Sequence, residues 1–244
     1  MGFRKFNFRP DYNKTDNDIA EEFYIPAMQN AVSYDRISGY FGSTVYIIVW
    51  SALQEFVEHG GKMRIICSPV ISEKDKSAMA EGYSAKNDET LQQELDTEMD
   101  SLFADSKLEK PARVLACLIA EGILDIKIAV PETGLEPDLQ RLFHDKVGIF
   151  TDENGDSVGF RGSMNETYQG LSDDGNLESI DVFPSWLDHR DAFRAKNAIS
   201  YFKMLWTGSE AKARVYSFPE ALRKKLIEKS NGYNWRELTK EIST

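Results

Sequence analysis

The sequence predicts a mixed α/β protein with one large, largely parallel sheet that has helices on both faces. Short apolar runs typical of buried strands alternate along the chain with longer amphipathic stretches typical of helices. A strand, a helix and a second strand follow one another between residues 34 and 67, which is the order of a βαβ unit with a parallel pair. Later in the chain, Asn154-Gly155 between two alternating runs predicts a hairpin.

Caps, chain breakers and hydrophobic periodicity define the elements on the N-terminal side of that hairpin. Thr15 or Asp16 caps the first helical pattern, which Pro26 interrupts. Gly60-Gly61 ends the next amphipathic run, as glycine often does after a helix. The predicted order is an arm over 1–15, a helix over 16–30, a strand over 34–41, a helix over 45–59, a strand over 62–67, acidic helices over 73–107, a helix over 111–121 and a strand over 124–130.

The alternation of strands and helices continues after the hairpin. A third strand contains Val182-Phe183. It is followed by a helix over 188–206, an extended stretch over 215–218, and helices over 219–229 and 235–242. We therefore expect three parts: an N-terminal arm (1–15), one main domain (16–206) and a C-terminal helical extension (207–244).

The charge of the chain argues against a generic nucleic-acid coat. The formal net charge is −11, whereas sequence-independent binding to DNA depends on neutralising phosphates with lysine and arginine. The charge is uneven, because residues 73–110 hold eleven acidic against five basic residues. If that segment lies away from a functional site, the rest can present a local basic lining, with Arg36, Arg141 and Arg161 as candidates.

Targeting signals and cysteine usage both point to the inside of the cell. No run approaches the roughly eighteen apolar residues that a membrane span needs, and residues 1–10 lack the apolar core of a signal peptide. We therefore expect a cytoplasmic protein with no membrane partner. Cys67 and Cys117 each lie in an apolar run, which favours buried free thiols. No histidine or cysteine pair has the spacing of a metal site, so we expect no metal and no cofactor.

The stretch 143–183 carries the residues on which a function can rest. Alternation along its first strand puts His144 and Lys146 on one face. The hairpin folds the next strand back, so Ser163 and Asn165 return towards His144. An imidazole, an ammonium, a hydroxyl and an amide around one small cavity suit an anionic phosphodiester.

Backbone groups would add to this site. Asn165 is a good N-cap for a helix over 166–171, whose first N–H groups would point at phosphate oxygens. A neutral His144 could attack phosphorus while Lys146 and Asn165 stabilise the developing charge. Such a covalent mechanism needs no metal ion.

The order of these residues resembles a family signature. His144-x-Lys146 followed by Gly162-Ser163-x-Asn165 resembles that of the phospholipase D superfamily. Within it, the chain is most similar to the nuclease domains of bacterial restriction and phage-defence proteins, which are often fused to superfamily 2 helicases. The likeness covers about residues 16–206 and is carried further by Phe23-Tyr24-x-Pro26, Gly39-Tyr40-Phe41, Gly60-Gly61-Lys62 leading to Ser68-Pro69, Gly162-Ser163-x-Asn165-Glu166-Thr167, and Asn176-x-Glu178-Ser179 before Val182-Phe183.

The resemblance implies a phospholipase D-like fold and roles for five residues. His144 would form a phosphohistidine intermediate. Lys146, Ser163 and Asn165 would hold the phosphate. Glu178 would orient a histidine ring, since an acceptor on one ring nitrogen frees the other to attack.

The hairpin departs from the usual pattern of the family. Asp152 stands six residues after Lys146 instead of five, and Gly162 stands ten after Asp152 instead of seven. The extra residues fall in the polar turn 152–156, which predicts a longer loop at that point. The role of Asp152 is left open.

The leading functional prediction is a metal-independent phosphodiesterase that cleaves DNA in a bacterial defence or restriction system. The alternative is a catalytically silent module whose pocket holds nucleic-acid phosphate and positions a helicase partner. A phospholipid substrate is disfavoured, because the sequence offers no apolar or basic amphipathic membrane surface.

A homodimer is expected from the chemistry. Phosphohistidine chemistry of this kind uses two imidazoles, one that attacks phosphorus and one that protonates the leaving oxygen. Residues 31–70 hold no second H-x-K motif, and His59 with Lys62 has the wrong spacing. The second imidazole would then be the same histidine of another copy, brought close by a twofold axis near His144.

Overall fold

One mixed sheet organises the part of the chain that the structure describes. The computed structural model describes residues 2–39, 41–42, 45–68, 93, 96–97, 100, 103–104, 109–131, 143–209, 213–218 and 220–242. The eight strands of the described ranges are β1 (Asp11–Asn13), β2 (Ser33–Ser38), β3 (Lys62–Cys67), β4 (Leu124–Pro131), β5 (Val147–Thr151), β6 (Ser157–Gly162), β7 (Ser179–Pro184) and β8 (Ala213–Ser217). Their order across the sheet is β1-β7-β6-β5-β2-β3-β4-β8.

Helices cover both faces of the sheet, as predicted. On one face, the helix His189–Trp206 packs Phe202 and Leu205 into a cluster with Ile37 of β2. The larger core lies on the other face, where the helix Tyr46–Glu58 contributes Phe56 and the helix Glu109–Ala120 contributes Leu118. The helices are α1 (Ile25–Gln29), α2 (Tyr46–Glu58), α3 (Glu109–Ala120), α4 (Tyr168–Leu171), α5 (His189–Trp206), α6 (Glu220–Ser230) and α7 (Trp235–Ile242), with a 3-10 turn at Phe3–Lys5 and a π-helical turn at Ala20–Tyr24.

The described sheet is mostly antiparallel, so the prediction of a largely parallel sheet is wrong. β2 and β4 each run parallel to β3. The other five pairings between described strands are antiparallel. Each parallel pair is connected through a long helix, Tyr46–Glu58 or Glu109–Ala120, as the predicted βαβ unit requires. In contrast, β5, β6 and β7 follow one another as an antiparallel meander with only the four-residue helix Tyr168–Leu171 between β6 and β7.

The predicted hairpin is confirmed. β5 and β6 pair antiparallel, with Thr151 opposite Ser157 at the turn. Gly155 has a φ of 83°, which a residue with a side chain rarely adopts. Elsewhere the bounds agree within a few residues, but the acidic helices predicted over 73–107 lie almost entirely outside the described residues.

The two outer segments of the chain form the two edges of the sheet. Phe3 and Phe8 are buried in the larger core, and β1 pairs with β7 at one edge. β8 pairs with β4 at the other edge. The predicted arm and the predicted C-terminal extension therefore each add a strand to the central sheet, and the domain limits stay a prediction.

Both cysteines have the predicted state. Cys67 and Cys117 are buried thiols that form no disulfide. Across the described ranges, no helix combines the length and apolar character needed to cross a membrane. The cytoplasmic location stays a prediction.

Candidate active site

Strand register stacks three rows of side chains on one face of the sheet, and the candidate site lies at the end of this stack. The pairings of β2 with β5 and of β5 with β6 fix which residues share a row, because every second residue of a strand faces the same side. The face changes along the strands from aromatic to ionic. The first two rows are Tyr34 with Phe150 and Val158, and Arg36 with Gly148 and Phe160. Continued past the start of β5, the same register gives a third row of Ser38, Lys146 and Gly162, in which Gly162 N donates to the Lys146 carbonyl at 3.4 Å.

His144 and Lys146 lie just before β5, whereas the sequence predicted them within the strand. β5 begins only at Val147, and the backbone N–H of Lys146 is bound by the Asp145 carboxylate at 3.0 Å. Lys146 nevertheless keeps the predicted face, because its carbonyl accepts from Gly162 N at 3.4 Å and so continues the register of the hairpin.

Three of the predicted residues converge on Gly39, which directly follows β2. A Cβ placed on Gly39 would lie 3.1 Å from Lys146 Nζ, 3.2 Å from Asn165 Oδ1 and 3.3 Å from His144 Cδ2. Each distance is tighter than an ordinary van der Waals contact. The three side chains belong to two segments that are far apart in sequence from Gly39, so the fold brings them together around a residue that has no side chain.

Lys146 is a buried cation without an ion-pair partner among the described residues. Its side chain is 4% exposed, and Nζ donates to the carbonyl oxygen of His144 at 2.8 Å. No acidic group in the described ranges forms an ion pair with it. Burial lowers the pKa of Lys146, and the positive charge of Arg36 lowers it further, against the opposing charges of Glu178 and Asp145. An anionic ligand would supply the missing compensation.

Ser163 and Glu178 contact each other at the start of β7. The Ser163 hydroxyl donates to the Glu178 carboxylate and accepts from Ser179 N at 3.1 Å. Glu178 is 8% exposed and immediately precedes β7. The described residues contain no hydrogen bond between Glu178 and His144, so the orienting role of Glu178 stays a prediction.

Asn165 does not cap the following helix, and that prediction is wrong. The helix α4 begins at Tyr168, and its cap is Thr167, whose hydroxyl accepts from Gly170 N at 3.0 Å. Asn165 instead lies in the loop beside β2, where Ser38 Oγ is 3.4 Å from its Oδ1. The helix therefore begins two residues later than predicted, and its cap is not a residue of the predicted site.

Sequence reasoning missed a buried network directly beneath the site. Glu166 is 3% exposed. It accepts from Tyr24, from Tyr34 at 2.9 Å and from Arg36 Nε at 2.9 Å. The motifs quoted for the family likeness contain Tyr24 and Glu166, but a glutamate after Asn165 looks like an ordinary first-turn residue, so only the fold reveals the network.

The predicted basic lining is only partly present. Arg36 is fully buried and paired with Glu166, so its assignment to a surface lining is wrong. Arg161 is exposed and lies 3.3 Å from the carboxylate of Asp145, the residue between His144 and Lys146. Arg141 lies outside the described residues.

Asp152 lies at the opposite end of β5 from the site and has a structural role. Its carboxylate accepts from Asn154 N at 2.9 Å and Asp156 N at 3.0 Å, which fixes the hairpin turn. It also accepts from Phe3 N at 2.7 Å and so anchors the N-terminal segment. The longer loop predicted for this hairpin is built around that carboxylate.

Comparisons with known proteins give structural likeness only. No family model and no curated protein matches the chain. Among solved structures, it is similar to NucT from Helicobacter pylori, with 14% identity and a TM-score of 0.46 over 85% of this chain and 97% of that one. It is similar to Nuc from Salmonella typhimurium, a phospholipase D family member, with 15% identity and a TM-score of 0.38 over 80% and 88% of the two chains. It is also similar to phosphatidylserine synthase from Haemophilus influenzae Rd KW20, with 11% identity and a TM-score of 0.41 over 91% of this chain and 44% of that one. At these identities and scores the likeness assigns no activity to this chain.

Proposed function

We propose that the protein is a metal-independent phosphodiesterase that cleaves DNA through a phosphohistidine intermediate. The observation that carries the proposal is the close approach of His144, Lys146 and Asn165 to one another around Gly39, which has no side chain to separate them. A nucleophile, a buried cation and an amide gathered at one point are what a phosphodiester needs for in-line attack and charge stabilisation.

The chemistry divides into two displacements. A ring nitrogen of neutral His144 forms a bond to phosphorus as the bond to the leaving oxygen breaks, and a second imidazole protonates that oxygen. Water then attacks phosphorus, gives a proton to the second imidazole, and displaces the His144 nitrogen. Lys146 and Asn165 stabilise the negative charge that builds on the phosphoryl oxygens in both steps.

The second imidazole is proposed to be the partner's His144 in a twofold-symmetric homodimer. Among the described residues, His144 supplies the imidazole of the site, while His59 lies at the end of α2 and His189 begins α5. One ring cannot attack and protonate from the same side. The dimer has one composite site, and in a mixed dimer of wild type and His144→Ala that site lacks one imidazole, so activity should nearly vanish. A mixed dimer that keeps half the activity would contradict this arrangement.

DNA and a defence role rest on the likeness of the motifs. The Gly-Ser-x-Asn-Glu-Thr and Asn-x-Glu-Ser segments resemble those of nuclease domains in restriction and phage-defence proteins, which supports a DNA substrate and a superfamily 2 helicase partner. A catalytically silent, phosphate-binding module remains the second candidate. The observation that favours it is the single imidazole that one chain brings to the site.

The deciding experiment is cleavage of plasmid and single-stranded DNA in excess EDTA. Wild type should cut, and His144→Ala should not. His59→Ala removes an exposed imidazole at the end of α2 and is the matched control, which should cut like wild type. Cleavage that needs Mg²⁺ and survives His144→Ala would refute the mechanism. Equal DNA binding by wild type and His144→Ala with no cleavage by either would establish the binding module.

A further inference from the structure

We infer that Glu166, held by Arg36, Tyr24 and Tyr34, is a positioning residue that fixes the Asn165 amide at the phosphate site. The inference rests on the proposed function of that site. It concerns residues that form no hydrogen bond with His144 or Lys146 in the described part of the chain, and it predicts that they control turnover through Asn165.

The network saturates the Glu166 carboxylate from three directions. One oxygen accepts from Tyr24, and the other accepts from Tyr34 and Arg36. The two tyrosines are at most 1% exposed, and burial together with the Glu166 charge raises their pKa values well above the usual value for tyrosine. Both phenols therefore stay protonated donors throughout the ordinary pH range, and the carboxylate is held in one orientation.

The chain on both sides of Asn165 is bound to β2. Before it, the Met164 carbonyl accepts from Arg36 Nη2. After it, Glu166 N donates to Ser38 Oγ at 2.9 Å, and the Glu166 carbonyl accepts from Gly42 N at 2.9 Å. Because Gly39 directly follows β2, one strand sets the position of the Asn165 amide and of the glycine that it approaches.

The arrangement is poorly suited to a role in packing alone. Arg36 is fully buried, yet its Nη1 has no hydrogen-bond partner among the described residues. A buried ion pair seldom stabilises a fold more than apolar side chains of the same size would. The network is therefore better explained by the geometry that it imposes on Asn165 than by stability.

The test is a double-mutant cycle of Tyr34→Phe with Asn165→Ala. Tyr34→Phe removes one hydroxyl from Glu166 and leaves the ring that stacks on Phe150. It should lower kcat on bis(p-nitrophenyl) phosphate about tenfold with little change in KM, because small misplacements of a positioned group are costly. In the Asn165→Ala background the same change should have no further effect on kcat, since the group that it positions is gone.

A matched control lies on the opposite face of the same strand. Asp35 forms an ion pair with Arg64 away from the site, so Asp35→Asn should leave kcat unchanged. If Tyr34→Phe lowers kcat by the same factor with and without Asn165, or shifts only the thermal midpoint, the inference is overturned.

A failure of the proposed function is distinguishable from a failure of the inference. If wild type does not hydrolyse phosphodiesters, the double-mutant cycle uses binding affinity in place of kcat. The affinity of each variant for inorganic tungstate, a phosphate-like anion, is then measured. Tyr34→Phe should then weaken binding severalfold in wild type and have no effect in Asn165→Ala. Equal weakening in both backgrounds would overturn the positioning role whatever the enzyme activity.

Discussion

Arg36 and Lys146 are buried cations in neighbouring rows of the same sheet face, and they differ in what compensates them. Arg36 is fully buried and paired with the Glu166 carboxylate at 2.9 Å. Lys146 is 4% exposed and has a carbonyl oxygen as its hydrogen-bond acceptor. Burying a charge is unfavourable unless it is paired. The difference fits the proposed roles, in which Arg36 holds the structure of the site and Lys146 binds the phosphate group.

The largest expected effect on folding comes from breaking the compensated pair. Arg36→Met leaves the Glu166 carboxylate buried without its cation, so the free energy of unfolding should fall by about 3–5 kcal/mol. Urea unfolding followed by circular dichroism measures it. Recovery of most of the loss in Arg36→Met combined with Glu166→Gln would support the pairing. No loss in Arg36→Met would show that the pair is not what holds this region.

Replacing Lys146, which has no ion-pair partner among the described residues, should affect turnover rather than folding stability. Lys146→Met should lower turnover about 10²-fold or more, because it removes a group that stabilises transition-state charge. It should keep or raise the thermal midpoint, because it relieves a charge buried beside Arg36. The two variants remove one cation each from adjacent rows, so they serve as controls for one another.

The pH dependence of that stability difference follows from the sign of the pKa shift. The pKa of Lys146 is lowered in the folded protein relative to the ordinary lysine value of 10.5. Charged Lys146 therefore lowers the free energy of unfolding at every pH below its folded pKa. This destabilisation decreases as the pH rises from the folded pKa towards 10.5. The advantage of Lys146→Met over wild type should shrink over that alkaline range. An advantage that grows with pH would contradict the direction of the shift.

The next effect concerns Gly39, which the side chains of the candidate site approach closely. Gly39→Ala places a methyl group 3.1–3.3 Å from atoms of Lys146, Asn165 and His144. We expect about a tenfold loss of kcat/KM, by misplacement of the substrate, with a nearly unchanged thermal midpoint. Steady-state kinetics on bis(p-nitrophenyl) phosphate measures the loss. Full activity in Gly39→Ala would show that substrate does not use this space.

The smallest effect is expected on the other face of β2. Asp35 and Arg64 form an ion pair of which Arg64 is 44% and Asp35 14% exposed. Burial nevertheless raises the pKa of Asp35 against the lowering effect of Arg64. Ionised Asp35 therefore lowers the free energy of unfolding at pH values above its folded pKa, and this effect disappears in acid, where Asp35 is protonated. Asp35→Asn should be neutral or slightly stabilising at pH 7, and the difference should close below about pH 3.8. Clear destabilisation at pH 7 would mean that the ion pair outweighs burial.

The sequence predicted the local elements and the pairing of strands that are near in sequence, but it did not predict the long-range strand pairings. β3 and α7 have the predicted bounds, because a bounded apolar run and a capped amphipathic run are local patterns. Which strands lie side by side depends on contacts between distant segments. The antiparallel pairing of β2 with β5 joins residues more than a hundred positions apart, and no periodicity encodes it.

Prediction of the site was limited in the same way. His144, Lys146 and Asn165 were predicted to meet because a hairpin, which is local, carries them together. The positions of Gly39 and Arg36 could not be predicted, because both come from β2, which reaches the site only through its long-range pairing. Glu166 was missed for a related reason, since its partners lie more than a hundred residues earlier in the chain.

The most direct test of the contrast between the two cations is the ionisation of Lys146 itself. NMR of protein with ¹⁵N-labelled lysine, titrated from neutral to alkaline pH with and without inorganic phosphate, reports the Nζ of each lysine. Comparison with Lys146→Met assigns the signal. If the charge is kept for a phosphate group, the pKa of Lys146 lies below 10.5 in the free protein and rises when phosphate is bound. A pKa at or above 10.5 that does not respond to phosphate would contradict the account.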